Sequence, residues 1–496
     1  MVEVSQGRGS TLPFVGCLEV NGKGYIYDVN TNEILAVEPR DFSLVVEALN
    51  DPREAGHLLN DQSIQTIRRH GYLSAHYPRG VRAPCRHCLE KDHRSKLGQC
   101  TLELTQACNH RCLYCPYSSL DATRRPHSQK CMSWEIAEAA IDLLLDHSED
   151  AEHIALGFYG GEPLLAWGLL RRCLEYAHER AGARPLLTTL TTNATLVTED
   201  IAKTLHAHGV SILVSLDGPE EVHNALRRMR GDEEGGFRAT LRGLSILRQA
   251  YGAKAPSKIR INAVTGPWTD FKALESFFHT EPRAEIRELH YRFGGATHPL
   301  IDCLTNDTTA GGGAASSGYY HTDLAARWAE SLAKGEIGTA KEWKFLRQVF
   351  ESPLLLFHKR SRSRLGDFLG PMGICTPGTE RYYVDVDGNI LLCERVSEKF
   401  VIGHVLDGGI SVDMCERLLA RVVSLFNDRC INCIFCRICV GCPSSYADPR
   451  GDITEESVEV YCFRRMHECS SFLLQYVEAL DRNPECFTYM EPMLRI

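Results

Sequence analysis

The sequence predicts an α/β protein built on a partial (β/α)6 barrel, with an N-terminal winged-helix-like module and a C-terminal cysteine-rich domain. Three observations carry this expectation. The chain has 496 residues, which is room for two or three domains because single cores stop growing well below that length. From Thr101, short strand-like runs alternate with longer amphipathic stretches, the signature of a parallel sheet with crossover helices. The 21 cysteines crowd into groups at 85–115 and 430–442, with Cys375, Cys393 and Cys462 beside them, instead of scattering as core residues would.

Residues 1–80 read as a separate module. FVGCLEV, YIYDV and EILAV are broken by the turn-forming NGKG and NTNE, the pattern of an antiparallel meander, and three short helical patterns follow at FSLVVEAL, PREAGHLLN and DQSIQTIRRHGYL. An exposed third strand there is suited to adding a peptide strand by edge pairing. A linker with a C-x-x-C occupies 81–100. The barrel takes 101–300, with strands at TLELT, HIALGFYG, LLTTLTT, VSILVSL, KIRINAV and IRELHYRF and helices between them. Six repeats are too few for a closed eight-fold barrel, so an open one is expected. Residues 301–370 form a helical linker region that begins with the flexible NDTTAGGGAASSG. Residues 371–470 carry many cysteines and little regular periodicity, so metal is expected to order them, and 471–496 form a tail.

Composition removes several functions. A formal net charge of −9 supplies no basic field for a nucleic-acid backbone. MVEVSQGRGS lacks a secretory pattern, and no run of about eighteen apolar residues suggests a membrane span, so a soluble cytoplasmic protein is expected. In that compartment clustered thiols serve metal centres more often than disulfides.

The chemistry sits in CNHRCLYC. Cys108, Cys112 and Cys115 directly follow a strand, on the sheet edge where α/β folds place ligands, and three thiolates from one loop bind three corners of a cubane and leave the fourth iron open. Further along the chain, GGEPLL (Gly160, Gly161, Glu162), TTNAT (Asn193) and SLDGPEEVHNALR (Ser215, Asp217, Arg227) end the next strands in order. Together these residues resemble the radical S-adenosylmethionine superfamily. The resemblance implies a [4Fe–4S] cluster on the three cysteines. It also implies S-adenosylmethionine held by Gly160, Gly161, Glu162, Asn193, Ser215 and Arg227, and release of a 5′-deoxyadenosyl radical. A zinc site is the plainer alternative for three cysteines alone.

CTPGTERYYVDVDGNILLC, CINCIFCRICVGC and Cys462 resemble the SPASM domain, which carries up to two auxiliary [4Fe–4S] clusters. The family pattern of C-x9-15-G-x4-C is met, whereas C-x2-C-x5-C-x3-C is met one residue short by Cys430, Cys433, Cys439 and Cys442. The resemblance assigns Cys430, Cys433, Cys439 and Cys462 to one cluster, and Cys375, Cys393 and Cys442 to the other. Cys436 is a spare thiol or an alternative ligand. Cys85, Cys88 and Cys100 are a metal site or plain linker thiols; Cys17, Cys131, Cys173, Cys303, Cys415, Cys469 and Cys486 are core or surface thiols.

The N-terminal meander looks like the precursor-recognition element of enzymes that mature ribosomally made peptides. The expected function is a peptide maturase that abstracts hydrogen from a precursor residue and installs a cross-link, a Cys-derived thioether, with a flavodoxin or ferredoxin as electron donor. A carbon–carbon cross-linking maturase, an anaerobic sulfatase maturase and a non-catalytic iron–sulfur electron carrier are the alternatives. No residue is singled out as general base.

Overall fold

The computed structural model describes residues 3–4, 12–115, 117, 127–229, 231, 236–266, 269–280, 290–295, 322–335, 341–371, 374–448 and 450–491. The glycine-rich 306–318 and Cys303 lie outside the described residues, as does the first part of the expected strand IRELHYRF. No helix among the described residues is long and apolar enough to cross a membrane.

The N-terminal module is a four-stranded antiparallel sheet in the order β1 (Glu3–Val4), β2 (Val15–Val20), β3 (Lys23–Asp28), β4 (Glu33–Val37), followed by helices Pro39–Asn50, Ala55–Asn60 and Gln62–Arg69. Asp61 starts the last of these by accepting the amides of Ser63 and Ile64. Because side chains alternate along a strand, the sheet has two apolar faces. Val15, Cys17 and Ile26 pack under these helices with Val45, Leu49, Leu58 and Ile64. Leu18, Tyr25 and Tyr27 face the rest of the protein and join its main core. Strand β4 ends the sheet, so one of its edges is unpaired among the described residues.

Beyond β5 (Gly80–Val81), six parallel strands follow in the order expected of a partial barrel: β6 (Gln99–Glu103), β8 (Ile154–Tyr159), β9 (Leu186–Thr192), β10 (Ser211–Ser215), β12 (Ile259–Thr265) and β13 (His290–Gly295). The short β7 (His110–Cys112) and β11 (Arg227–Met229) form a separate antiparallel ladder above them. Strand β6 begins two residues before the expected TLELT because Gln99 and Cys100 already pair with Ala155 and Leu156. It stops at Glu103, where the chain turns so that Thr105 bridges Cys131.

Strands β9, β10 and β12 alternate, whereas β6 and β8 are buried almost throughout. Thr188, Leu190 and Thr192 of β9 are buried beneath helices, whereas Leu187 and Thr189 are exposed. Thr101, Gly157, Thr189, Ser211 and Asn262 line the inner surface. The barrel therefore encloses an open lumen lined by both polar and apolar side chains instead of a packed core.

After β14 (Phe368–Leu369), which pairs with β5, the C-terminal region departs from expectation. Strand β15 (Tyr382–Val384) adds in parallel to β6, and β16 (Asn389–Leu391), β17 (Val401–His404) and β18 (Gly409–Ile410) continue antiparallel, so barrel and cysteine-rich region share one ten-stranded sheet. Regular helices follow at Val412–Cys430 and Glu455–Arg482. Cys415, Leu419, Val422 and Phe426 give the first a buried stripe at helical spacing, and Phe426, Tyr446 and Tyr461 meet edge to face. Metal is not the sole source of order here, because this apolar stripe runs between the cysteines. The second helix crosses position 470, so the expected tail is continuous with the cysteine-rich region as far as Arg482.

The N-terminal sheet docks on this region. Tyr27 stacks on Phe435, and Arg437 donates to the carbonyls of Val29, Asn30, Ser361 and Ser363. Asp481 accepts from Asn21, Lys23 and Tyr25.

A Cβ at Gly243, in helix Gly236–Tyr251, would fall 1.9 Å from the carbonyl oxygen of Ala194. Gly243→Ala should lower stability by roughly 1–3 kcal/mol through this overpacking. Gly56→Ala, in a helix with open space around it, should raise stability by up to about 1 kcal/mol. Denaturant midpoints measure both.

Candidate active site

Chain ends gather at the C-terminal edge of the parallel strands. The 105–107 segment after β6 and the Gly160–Glu162 turn after β8 run side by side: Gly161 N donates to Thr105 O at 2.7 Å and Glu162 N to Ala107 O at 2.8 Å. A Cβ on Gly160 (φ +148°) would lie 2.4 Å from Thr105 O, and one on Gly161 2.1 Å from Ala107 O. Only glycine permits this approach, which sets the loop bearing Cys108 against the β8 turn.

Glu162 is buried with its carboxylate turned towards β9. It accepts the Thr192 hydroxyl at 2.6 Å, the Asn193 amide at 2.8 Å and the Leu164 amide at 3.1 Å. Burial pushes this carboxyl up, against the pull of those three bonds. Both Glu162 oxygens are thus engaged within the protein; the side chain braces the neighbouring strand end. Asn193 Nδ2 donates to Asn109 Oδ1 at 2.8 Å, joining the β9 turn to the cysteine loop.

The ladder of β7 and β11 pairs Cys112 with Arg227. Arg227 Nη1 lies 3.8 Å from Cys112 Sγ, and its Nε donates to Asp217 at 2.9 Å in a buried ion pair. Asp217 also accepts the Tyr114 hydroxyl and, at 3.0 Å, the amide of Val264. One carboxylate therefore fixes the aromatic ring of CLYC, the arginine beside Cys112 and the end of β12. The motif SLDG singles out Asp217, but its link to Tyr114 joins residues 103 positions apart and leaves no local signal.

All these ends open into one cavity of about 830 Å³. Cys108, Cys112, Cys115, Gly160, Gly161, Glu162, Asn193, Ser215 and Arg227 line it, while Asp217 stands behind the wall, bonded to Arg227. Arg381, Glu394 and Arg395 complete its wall from the cysteine-rich side, a contribution sequence reasoning missed.

The donor set fits an iron–sulfur cluster. Burial pushes the Cys108 thiol up to about 11 and the Cys112 thiol up to about 12, and each lies in electrostatic reach of Cys115. These are soft donors that a metal must deprotonate to bind. Among the described residues no three His, Cys, Asp or Glu side chains converge on a single ion. A cubane is larger than an ion and takes thiolates set further apart.

The second cysteine array falls into two groups of neighbours. Turns closed by Cys433 N to Cys430 O (3.2 Å), Cys436 N to Cys433 O (3.0 Å) and Cys439 N to Phe435 O (2.8 Å) fold the CINCIFC loop back on itself. Cys430 lies in electrostatic reach of Cys433, Cys439, Cys462 and Cys436. Cys442 neighbours both Cys375 and Cys393. Burial raises Cys433 to about 12, Cys393 to about 11 and Cys462 to about 11. Cys469, expected as a core or surface thiol, is buried close to Cys439 and Cys433, and Glu380, which the sequence did not single out, is hydrogen-bonded to Cys375. Cys100 does not group with Cys85 and Cys88; it is buried in β6 beside Tyr382 and Cys173, whereas the other two are exposed.

Asp217→Ala would leave the buried Arg227 unpaired, which should cost roughly 3–5 kcal/mol. Asp217→Asn, which keeps an acceptor, should cost less. Urea unfolding of the two variants measures the difference.

Residues 102–270 match the family model of the Radical SAM superfamily. A stretch of 127 residues is 34% identical to a cysteine-type anaerobic sulfatase-maturating enzyme of Clostridium perfringens (strain 13 / Type A), covering 25% of this chain and 34% of that enzyme. Another of 156 residues is 24% identical to the radical SAM cyclopropyl synthase TigE of Paramaledivibacter caminithermalis, covering 30% of this chain and 32% of that one. The matches thus span about a third of the length of these relatives. The solved structure of native anSMEcpe with bound AdoMet superimposes with a TM-score of 0.54 at 20% identity, over 77% of this chain and 98% of that one, which shows a common fold. Residues 102–270 thus carry the sequence similarity to the Radical SAM superfamily, on strands that run in the order of a partial barrel.

Proposed function

We propose that this chain is a radical SAM maturase that abstracts hydrogen from a residue of a ribosomally made precursor peptide and installs a cross-link, a Cys-derived thioether. The observation that carries the reading is the single cavity in which the Cys108–Cys115 loop faces Arg381, Glu394 and Arg395, the last two adjoining Cys393. In this reading Cys108, Cys112 and Cys115 hold the [4Fe–4S] cluster, and S-adenosylmethionine lies along Gly160, Gly161, Asn193, Ser215 and Arg227. When bound, the pair supplies reductive cleavage of the sulfonium to a 5′-deoxyadenosyl radical.

The chain's own residues do the rest. Glu162 holds the β9 end in place, and Asp217 fixes Tyr114 and Arg227 against Cys112. The polar side chains of the lumen give a peptide backbone hydrogen-bonding partners. Cys430, Cys433, Cys439 and Cys462 hold one auxiliary cluster, and Cys375, Cys393 and Cys442 hold another. A flavodoxin or ferredoxin supplies electrons. The free edge of β4 takes the leader peptide as an added strand, which raises the effective concentration of the core peptide.

The sulfatase-maturase reading draws on the 34% identical stretch and the shared fold. The two separate by product. Anaerobic co-expression with a neighbouring precursor should remove two hydrogens per modified cysteine and make that cysteine resistant to alkylation. A carbon–carbon link leaves the thiol alkylatable. An unmodified precursor, with turnover on a sulfatase peptide instead, would decide for the alternative.

Two further outcomes follow from the assignments. The triple variant Cys108→Ala/Cys112→Ala/Cys115→Ala should keep its auxiliary iron and form no 5′-deoxyadenosine; undiminished cofactor cleavage would refute the cluster site. Hydrogen exchange at Glu33–Val37 should slow when full precursor is added and stay unchanged with leaderless core peptide. Equal exchange with both would remove β4 as the leader site.

A further inference from the structure

Cys85 and Cys88 stand outside the cavity and outside the C-terminal cysteine array. Both are exposed, and their Sγ atoms are 2.7 Å apart, against about 2.05 Å for a bonded pair. Cys85 is the N-cap of helix Arg86–Ser95, and its sulfur accepts the Cys88 amide at 3.3 Å. The helix is held firmly: Leu89 is buried, and the His93 ring bonds the Pro377 carbonyl oxygen at 2.7 Å. The first turn carries no acidic residue. Arg86 is occupied by Asp413, Glu416 and Glu90, so its charge is spent on carboxylates.

We propose that Cys85 and Cys88 form a redox-active dithiol that exchanges with disulfides, either of low-molecular-weight thiols or within a cysteine-containing peptide. The inference does not depend on the radical chemistry. Cys85 sits at the helix N-terminus with its sulfur accepting the Cys88 amide, an arrangement that favours its thiolate and makes Cys85 the attacking sulfur and Cys88 the resolving one. Cys85 thiolate attacks one sulfur of the disulfide, forming a mixed disulfide and releasing a thiolate. Cys88, losing its proton, then attacks Cys85 and releases the second thiolate. The pair is oxidised by two electrons, the disulfide is reduced to two thiols, and no other oxidant is consumed. A metal centre is the competing use of a C-x-x-C, but among the described residues no third side chain joins the two.

The full chain, reduced and freed of reductant under anaerobic conditions, is treated with glutathione disulfide in one arm and with a disulfide-bonded peptide in the other. It is then alkylated and digested. An internal Cys85–Cys88 disulfide in either arm supports the proposal and names the source, provided the exposed Cys131 stays reduced. Cys88→Ser should trap a mixed disulfide on Cys85 about tenfold faster than adducts form on Cys131, and Cys85→Ser should trap little on Cys88. Circular dichroism checks that both variants are folded. Alkylation of Cys85 and Cys88 no different from Cys131 in both arms would overturn it. So would a link between two chains in place of the internal bond, or loss of a metal equivalent in either variant.

Discussion

The structure depends on the close approach of two backbones at one sheet edge. The Thr105–Ala107 segment and the Gly160–Glu162 turn share two amide–carbonyl bonds at 2.7 and 2.8 Å, and no side chain fits between them. That contact sets the position of Cys108, since a Cβ on Gly161 would come within 3.0 Å of the Cys108 Cβ. It also aims Glu162 at β9, so the third strand end is tied to the second by a carboxylate that has given up its hydration. Asp217 repeats the device between the fourth strand end, the cysteine loop and β12. Buried carboxylates of this kind are costly singly and tolerable only when every oxygen is bonded. Both meet that condition with charged or backbone donors.

Much of this was legible because the local rules agree. Strand runs at period two, helices between them and glycines at strand ends all point to an open parallel barrel, and β8, β9, β10 and β12 fall where the runs place them. Two things were not legible. Strand β15 joins β6 across 282 positions through backbone bonds that Tyr382–Val384 does not advertise, so nothing local shows that the cysteine-rich region extends the barrel sheet. Helix Val412–Cys430 was overlooked for another reason: its buried stripe includes Cys415 and Cys430, and cysteine density drew the reading towards metal. Arg381, Glu394 and Arg395 enter the cavity wall as a consequence of the β15 pairing.

The thiols add an energetic constraint. Burial pushes the thiols of Cys108, Cys112, Cys433, Cys393 and Cys462 up from the ordinary range, to values from about 11 to about 12. A metal that binds them releases those protons, so assembly grows more favourable as pH rises towards these values. The apolar stripe of Val412–Cys430 and the shared sheet order the surrounding backbone independently of the metal, so the cysteines need not gather from an unfolded chain.

The same sheet explains the placement of the N-terminal module. A small sheet with helices on one face and nothing on the other would expose Leu18, Tyr25 and Tyr27 to water; docking covers them. The partner is the loop that carries Cys433, Cys436 and Cys439, through Phe435 and Arg437, together with the helix that carries Cys462 and Cys469, through Asp481. Movement of β3 is thus resisted at Tyr27 by Phe435, next to Cys436, and at Lys23 and Tyr25 by Asp481. Strand β4 pairs with β3 and so lies one strand away from those contacts.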